Sequence, residues 1–167
     1  MTKTGTVVSV RGATPTDLPA LGRLGALLVQ EHHEFDPQRF IPATQRTAAG
    51  YASWLGSQLE EPVIVILVAE RDGAVVGYVY GALEGYDYMS LRGPAGVLHD
   101  IVVDPSHRRE GIGRLLLDAA LEALERRGAP RVVLSTAAVN EPAQRLFERA
   151  GFRPTMIEMT RERDTTT

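Results

Sequence analysis

The sequence predicts a mixed α/β fold, and three features indicate it. Apolar runs typical of strands alternate with amphipathic helical stretches along most of the 167 residues. Two of the strand-like runs, Val63–Ala69 and Ala74–Leu83, flank Asp72 and Gly73, a dipeptide typical of a hairpin turn. The longest helical stretch, Gly111–Arg127, directly follows another strand-like run. Strands joined partly by hairpins and partly by helices form a sheet with antiparallel and parallel pairs.

Local signals near the N-terminus indicate the first strand and the first helix. Residues Thr6–Arg11 alternate weakly in polarity, as in a half-buried strand. Thr14 is a suitable N-cap, Pro15 favours the first helical position, and Asp17 takes the capping-box place. The leucines that follow at helical spacing are Leu18, Leu21, Leu24, Leu27 and Leu28. We expect this helix to fade in the charged stretch from residue 31 to residue 36.

A second helix and the hairpin's return strand make up the middle of the chain. The helix is expected after Thr44 and ends before Pro62, because proline cannot continue a helix. Its larger side chains are Tyr51, Trp54, Leu55 and Leu59. The return strand should place Val76, Tyr78 and Tyr80 on one face, since alternate residues of a strand share a face. Glycine, proline and serine between residues 86 and 95 predict a loop.

The C-terminal half continues this alternation. The helix predicted after residue 111 has an unbroken apolar stripe, and a glycine and a proline stop it. Asn140 is a suitable N-cap for a short helix that ends at Gly151. The remaining strands are expected at Val97–Val103, Val132–Thr136 and Phe152–Thr160. The polar tail, Arg161–Thr167, is expected to fray.

Composition bounds the class of protein. A formal net charge of −3 argues weakly against a nucleic-acid binder, and no apolar run is long enough for a transmembrane helix. The N-terminal residues lack the apolar middle of a signal peptide, so a cytoplasmic location is expected. The absence of cysteine removes disulfides, thiolate nucleophiles and cysteine-ligated zinc. No H-E-x-x-H or comparable ligand spacing occurs, so no metal is expected.

A glycine-containing loop precedes the longest helix and reads HRREGIG over residues 107–113. Unpaired N–H groups at a helix N-terminus bind anions, and glycines let an anion approach the backbone. The stretch is neither a P-loop nor a dinucleotide fingerprint, because Leu116 occupies the third glycine position of the latter. Taken alone, Gly111 and Gly113 also fit a tight turn that binds nothing.

Two motifs resemble those of the GCN5-related N-acetyltransferase (GNAT) family. The segment Leu98–Leu117 resembles its acetyl-CoA motif, Q/R-x-x-G-x-G/A, and the matching residues are Arg108, Gly111 and Gly113. The segment Asn140–Phe152 resembles N-x-x-A-x-x-L-Y-x-x-x-G-F, with Phe147 in place of the tyrosine. The order of elements agrees along nearly all of the chain. We therefore expect a single domain over residues 1–167, with a core from about residue 6 to residue 160.

The resemblance implies how acetyl-CoA binds as cosubstrate. The sheet would be mostly antiparallel and flanked by helices, and two parallel strands, Leu98–Val103 and Val132–Thr136, would splay to form a slot. The pyrophosphate would lie on the backbone of Arg108, Arg109, Glu110, Gly111, Ile112, Gly113 and Arg114. The pantetheine arm would pair with the strand edge at Ile101, Val102 and Val103. Phe147 in the second motif would also lie in the cofactor site, and Asn140 would contact the cofactor, cap its helix, or do both.

The resemblance also implies transfer of an acetyl group to a primary amine, with a general base on the strand before the loop. That strand offers His99 and Asp100 as catalytic residues. Consecutive strand residues point to opposite faces, so only one of the two should face the slot. His99 is the favoured base, because imidazole titrates near neutral pH. Asp100 is expected to anchor neighbouring backbone or to orient a base through water.

Phe147 is the main departure from the family pattern. The usual tyrosine serves as general acid for the leaving thiolate, and phenylalanine has no proton to donate. Three interpretations follow: the thiolate leaves unaided and water protonates it, another donor such as Tyr86, Tyr88 or Ser135 substitutes, or the domain is a non-catalytic acyl-CoA-binding module.

The acceptor site is predicted from carboxylates and aromatic residues in the segments that shape it in this family. The candidates are Glu31, Glu34, Tyr86 and Tyr88, a combination that suits a cationic amine. The alternative is that these charges only form a solvated helix end. The expected partners are acetyl-CoA and an amine, with neither nucleic acid nor membrane, and a homodimer remains open.

Overall fold

The hairpin predicted at Asp72 and Gly73 lies in the middle of a five-stranded sheet. A computed structural model describes residues 7–164, so Thr6 and Thr165–Thr167 lie outside the described residues. The strands are β1 (Ser9–Gly12), β2 (Ile64–Arg71), β3 (Ala74–Glu84), β4 (Ala95–Val103) and β5 (Val132–Leu134). The helices are α1 (Leu18–Phe35), α2 (Thr47–Gln58), α3 (Ile112–Arg126) and α4 (Glu141–Arg149).

The strands follow one another across the sheet in the order β1-β2-β3-β4-β5. All neighbours are antiparallel except β4 and β5, so the predicted mixed sheet is confirmed. The parallel pair is short, because Gly96–Leu98 pairs with Val132–Leu134 and no further. From residue 99 to residue 103, β4 pairs only with β3 within the described part of the chain.

Helices cover both faces of the sheet. Leu21 and Leu24 of α1 and Leu55 of α2 pack against Tyr78 and Val102 on one face. The apolar stripe of α3 packs on the opposite face, together with residues of α4; its buried members are Ile112, Leu116, Leu117, Ala120, Ala123 and Leu124. Burying these faces is the main stabilising contribution, at roughly 25 cal/mol per Å² of apolar surface.

The helix starts follow the sequence signals, but the end of α1 does not. The Thr14 N–H donates to Asp17 at 2.8 Å, as in the predicted capping box, and a single 3₁₀ turn leads into α1. The charged stretch stays helical as far as Phe35. His33 extends its ring to the carbonyl oxygen of Phe40, at 2.8 Å, so this stretch is tied to the following turn.

The strand predicted at Phe152–Thr160 is absent from the sheet that residues 7–164 form. Its apolar residues do not alternate: Met156, Ile157 and Met159 all have exposed side chains. A strand without period-two alternation has no single face to bury, so the core does not favour its pairing. The segment contacts the body of the protein through Phe152, which packs against Phe147, and through an ion pair between Glu158 and Arg39.

Two bulges, one in β3 and one in β4, break the alternation that the sequence suggested, and the first lies at Val76. Opposite β2, Glu70 pairs with Val75 and Ala69 pairs with Gly77, so Val76 is the extra residue. Val76 therefore packs with the α3 side, whereas Tyr78 and Tyr80 pack with the α1 side. The prediction that the three share one face is wrong for Val76, because each bulge shifts the strand register by one residue.

Candidate active site

The site begins where β4 leaves β5. Leu98 is the last residue of β4 that pairs with β5, and β5 ends at Leu134, two residues earlier than predicted. The edge of Ile101–Val103 that faces away from β3 therefore has no strand beside it in the described structure. An open strand edge presents unpaired N–H and C=O groups to an extended ligand. The two parallel strands predicted to splay are thus paired over three residues only.

A second bulge lies at the mouth of the predicted slot. Tyr80 of β3 pairs with Asp100, but the next residue, Gly81, pairs with Leu98, so His99 is the extra residue of β4. A bulge re-aims the side chains beside it. Both His99 and Asp100 consequently line one cavity. The expectation that the two side chains point to opposite faces is wrong, because strict alternation does not hold across a bulge.

His99 is oriented by a carboxylate. Its Nε2 lies 2.8 Å from Oε1 of Glu84, at the end of the neighbouring strand β3. Arg92 donates to the other oxygen of Glu84, at 3.2 Å, which holds the carboxylate in place. The imidazole lies against the ring of Tyr80, with centroids 5.2 Å apart. Because a carboxylate only accepts, Nε2 carries the proton and Nδ1 keeps a free lone pair in the neutral ring.

Asp100 is held by a tyrosine rather than by backbone. The hydroxyl of Tyr78 donates to its Oδ2 at 2.8 Å, and Tyr78 is fully buried. Burial raises the pKa of Asp100 above its ordinary value, although the hydrogen bond from Tyr78 opposes this effect. Burial also raises the pKa of Tyr78, as does the nearby carboxylate, so the hydroxyl remains a donor. The expected backbone anchor is not among the contacts of Asp100 within residues 7–164.

The cavity has a volume of about 460 Å³ and opens to solvent. Its lining residues come from α2, β3 and β4: Gly50, Tyr51, Trp54, Tyr80, His99 and Asp100. The three aromatic residues were not predicted as site residues, since aromatic residues at helical or strand spacing are typical of core. One sequence signal was available: Tyr51 and Trp54 stand three residues apart, and so share one side of α2.

Of the two glycines in the predicted anion loop, one has surroundings that leave room for a ligand to approach the backbone. Gly111 caps α3 in the left-handed conformation, with φ of +79°, and an added Cβ would meet open space. Gly113 differs, because a Cβ there would point toward Leu146 at 3.5 Å. The idea that both glycines keep side chains away from an anion is therefore supported only for Gly111; Gly113 lies against α4.

Three charged side chains of the loop have partners within the chain. Arg108 donates to the carbonyl of Val103 at 3.2 Å and forms an ion pair with Glu31 of α1. Arg114 pairs with Asp118 at 2.9 Å, one turn along α3. Glu110 pairs with Arg71 on β2. Arg109 has a positive φ of 64°, and the side chain of Ile112 is buried and fixes the start of α3.

The second motif is largely built into the helix it forms. Oδ1 of Asn140 accepts from the N–H of Ala143 at 3.3 Å, so Asn140 caps α4 as predicted. Phe147 is 6% exposed and packs edge-to-face against Phe152, with centroids 5.9 Å apart. Its ring belongs to the core on the α3 side of the sheet. The substitution of phenylalanine for tyrosine thus removes a hydroxyl from a mostly buried position.

The four predicted acceptor residues do not line the cavity. Glu31 is paired with Arg108, and Glu34 accepts from Gln30 at 3.0 Å. Tyr86 and Tyr88 stack on each other in the loop before β4, with centroids 5.9 Å apart and side chains largely exposed. The predicted combination of carboxylate and aromatic rings does occur, but in Asp100 and the rings around it.

Metal binding and membrane spanning find no support in the described residues. No group of three or more histidine, aspartate or glutamate side chains is arranged to hold a metal ion between residues 7 and 164. In the same part of the chain, each helix is too short or too polar to cross a membrane.

Comparison with known proteins identifies the family. The model of the Acetyltransferase (GNAT) family matches residues 26–152, which is most of the chain. The chain therefore belongs to this family, as its two motifs indicated.

Relatives differ in how much of their length this chain covers. A mycothiol acetyltransferase of Thermobispora bispora is 39% identical over 89 residues, which are 51% of this chain and 28% of that protein. This chain thus spans less than a third of the mycothiol acetyltransferases it matches. An N-alpha-acetyltransferase of Sulfurisphaera tokodaii is 28% identical over 161 residues, covering 93% of this chain and 86% of that protein.

Solved structures share the fold at low identity. The aminoglycoside N-acetyltransferase AAC(6')-Iy in complex with CoA has a TM-score of 0.72 at 18% identity, covering 98% of this chain and 99% of that one. The BH1408 protein of Bacillus halodurans, as a tetramutant, has a TM-score of 0.79 at 20% identity, covering 92% and 99%. These likenesses confirm the GNAT fold that the motifs predicted.

Proposed function

We propose that this chain is an N-acetyltransferase that moves the acetyl group of acetyl-CoA to a primary amine of a small molecule or peptide. One observation carries the proposal: the carboxylate-oriented imidazole of His99 lies one residue beyond the point where β4 leaves β5. A proton acceptor thus stands at the mouth of the slot. Membership of the acetyltransferase family supports the same conclusion.

Acetyl-CoA fits the chain's own backbone donors. The free edge of β4 at Ile101–Val103 can pair with the amide groups of the pantetheine arm. The first N–H groups of α3 lie behind Gly111, whose missing side chain leaves open space for a pyrophosphate. In this proposal Arg108, Arg109 and Arg114 supply positive charge around the loop, and Glu110 holds its backbone through Arg71.

The amine must lose a proton before it can attack the thioester, and His99 is the residue that accepts this proton. An alkyl amine with a pKa of about 10.4 is mostly protonated at pH 7, and freeing its lone pair costs about 4.6 kcal/mol. His99 takes this proton at Nδ1, while Glu84 accepts the hydrogen bond from Nε2 and stabilises the imidazolium. The neutral amine nitrogen then bonds to the acetyl carbon and gives up its second proton to water. The bond from the acetyl carbon to sulfur breaks, and the amide is formed.

The sulfur leaves as a thiolate. Phe147 has no proton to give, and Tyr86, Tyr88 and Ser135 do not line the cavity beside His99. A free thiol has a pKa of about 8.5, so a thiolate is a tolerable leaving group and water protonates it. In this proposal Phe147 contributes packing only. A cytoplasmic location, a single domain and a homodimer stay predictions.

The test is acetyl-CoA-dependent release of thiol, followed with a thiol-reactive dye across a panel of amines. The protein contributes no background, because it has no cysteine. Calorimetric titration with acetyl-CoA measures binding separately. Turnover with some amines supports the proposal. Binding of acetyl-CoA without turnover of any amine would favour the non-catalytic acyl-CoA-binding module instead, and Phe147 would then be the residue that explains it.

A further inference from the structure

The cavity beside His99 is walled by three aromatic rings. Tyr51 and Trp54 come from α2, and Tyr80 comes from β3. Trp54 is 55% exposed, which is a large exposed fraction for a tryptophan, and it is not one of the buried core residues. Burial raises the pKa of Tyr51 to about 12, so its phenol is neutral at physiological pH. Faces of Trp and Tyr rings attract cations that lie within about 6 Å of the ring centre.

A carboxylate lies among these rings. Asp100 alone is acidic among the described residues that line the cavity. Tyr78 satisfies Oδ2, whereas Oδ1 has no hydrogen-bond partner among residues 7–164. The one basic side chain in the lining, His99, is already turned to Glu84. A carboxylate in a largely apolar surround attracts a cation more strongly than it would in water.

We propose that this cavity is the acceptor site and that it takes the amine as an ammonium ion, bound by Asp100 and by the faces of Tyr51 and Trp54. The inference rests on the proposed function and adds the class of acceptor to it. A volume of about 460 Å³ suits a small alkyl or arylalkyl ammonium, or the end of a lysine-like side chain. Anionic and zwitterionic acceptors with a carboxylate near the amine are disfavoured by Asp100.

The arrangement also connects binding to the reaction. Asp100 follows His99 directly, and the bulge turns both side chains to the same cavity. An ammonium ion held at Oδ1 of Asp100 thus lies beside the imidazole that accepts its proton. Once the proton has moved to His99, the neutral amine is next to the slot.

The first test uses a cation that has no N–H and therefore cannot be N-acetylated, and it is run without acetyl-CoA. Trp54 is the single tryptophan of the chain, so tryptophan fluorescence reports on this cavity. Choline is titrated against its uncharged isostere, 3,3-dimethylbutan-1-ol. We expect a saturable change with choline, at least tenfold weaker binding of the isostere, and at least a tenfold loss with Asp100→Asn. Equal affinities, or no saturable change with choline, would overturn the inference.

The second test separates this inference from the proposed function. Alkyl amines, which are cationic at pH 7, are compared as acceptors with aniline, which is mostly neutral. We expect Asp100→Asn to lower kcat/KM at least tenfold for alkyl amines and less than threefold for aniline. Glu60→Gln removes an exposed carboxylate outside the cavity and should change neither. Equal losses for both acceptors would contradict the ammonium site. No turnover with any amine, together with choline binding as expected, would contradict only the proposed enzyme.

The third test uses a variant that fills the cavity and is expected to fold, so that a lost signal does not simply report unfolding. Gly50 lies within α2, and a Cβ there meets nothing within 4 Å. Gly50→Leu should therefore fold, since leucine is the better helix former. We expect it to abolish the choline signal and raise KM for alkyl amines at least tenfold, with acetyl-CoA affinity unchanged. Retained choline binding in this variant would place the cation elsewhere.

Discussion

His99 and Glu84 form a hydrogen-bonded pair across two strands, with Nε2 and Oε1 2.8 Å apart. Glu84 is the last residue of β3, and His99 is the bulged residue of β4. The pair thus forms at the bulge, where strict alternation of side chains does not hold. It fixes which ring nitrogen carries the proton and leaves Nδ1 to act on a substrate.

Glu84→Gln should lower kcat about tenfold with little change in KM for acetyl-CoA. An amide oxygen still accepts from Nε2, but it stabilises the imidazolium less than a carboxylate does. Steady-state kinetics from pH 6 to pH 9 checks this, and the acidic limb of the pH–rate profile should move relative to the native protein. Because a purely structural role would change thermal stability without moving that limb, an unmoved limb contradicts the positioning role.

Gly111→Ala should weaken acetyl-CoA binding at least tenfold and lower the free energy of unfolding by about 1–2 kcal/mol. The reason is the positive φ of 79°, which costs an L-residue about that much. The matched control is Gly113→Ala, whose Cβ would make an ordinary contact with Leu146. It should change acetyl-CoA affinity less than threefold. Chemical denaturation and calorimetry measure both quantities, and equal effects of the two variants would contradict the different roles assigned to the glycines.

Glu31→Gln should tighten acetyl-CoA binding about two- to fivefold. In the protein without ligand, Glu31 pairs with Arg108, which the proposed function assigns to the pyrophosphate loop. Removing the carboxylate frees the guanidinium and removes a negative charge, and exposed ion pairs are worth about 0.2–1 kcal/mol. Calorimetric titration at low and at physiological salt checks this, with the larger gain expected at low salt. A weaker affinity in the variant would show that the pair positions the loop instead.

Stability should fall as pH falls from about 4 toward 2, and Asp17 should account for part of the fall. Both oxygens of this buried carboxylate accept from Arg11, at 2.8 and 3.0 Å, and this contact lowers its pKa from 3.8 to about 2. A depressed folded-state pKa contributes stability above the unfolded pKa, and that contribution is lost as the folded group is protonated. It amounts to about 2 kcal/mol.

The check is urea denaturation of the native protein and of Asp17→Asn between pH 2 and pH 6. The variant should be less stable near pH 6, and its stability should depend less steeply on pH below 4. Parallel curves for the two proteins would mean that Asp17 does not carry this dependence.

Local sequence signals were sufficient to predict most of the helices and strands and the position of the anion loop. The capping box at Thr14, the hairpin at Gly73 and the apolar stripe of α3 each depend on residues close together in the chain, so local chemistry decides them. Two motifs at the right separation then pointed to the family, and through it to the splayed strands.

The features that could not be predicted from the sequence depend on the two bulges and on contacts between residues that are distant in the chain. Nothing local marks Val76 or His99 as an extra strand residue, yet each shifts the face on which its neighbours lie. The ring of Tyr80 and the helix side of Tyr51 and Trp54 meet only after α2 packs on the sheet. The acidic residues of α1 suggested a cation site that the structure does not place there. Glu31 forms an ion pair with Arg108, which is 77 positions away in the chain.

The most direct measurement compares acetyl-CoA-dependent thiol release by the native protein and by His99→Gln, with a saturating alkyl amine. We expect a loss of about 10²–10⁴-fold in kcat, the usual contribution of a general base, while the affinity for acetyl-CoA stays the same. We also expect the acidic limb of the native pH–rate profile to disappear in the variant. Turnover by His99→Gln equal to that of the native protein across pH 6 to 9 would contradict the central claim.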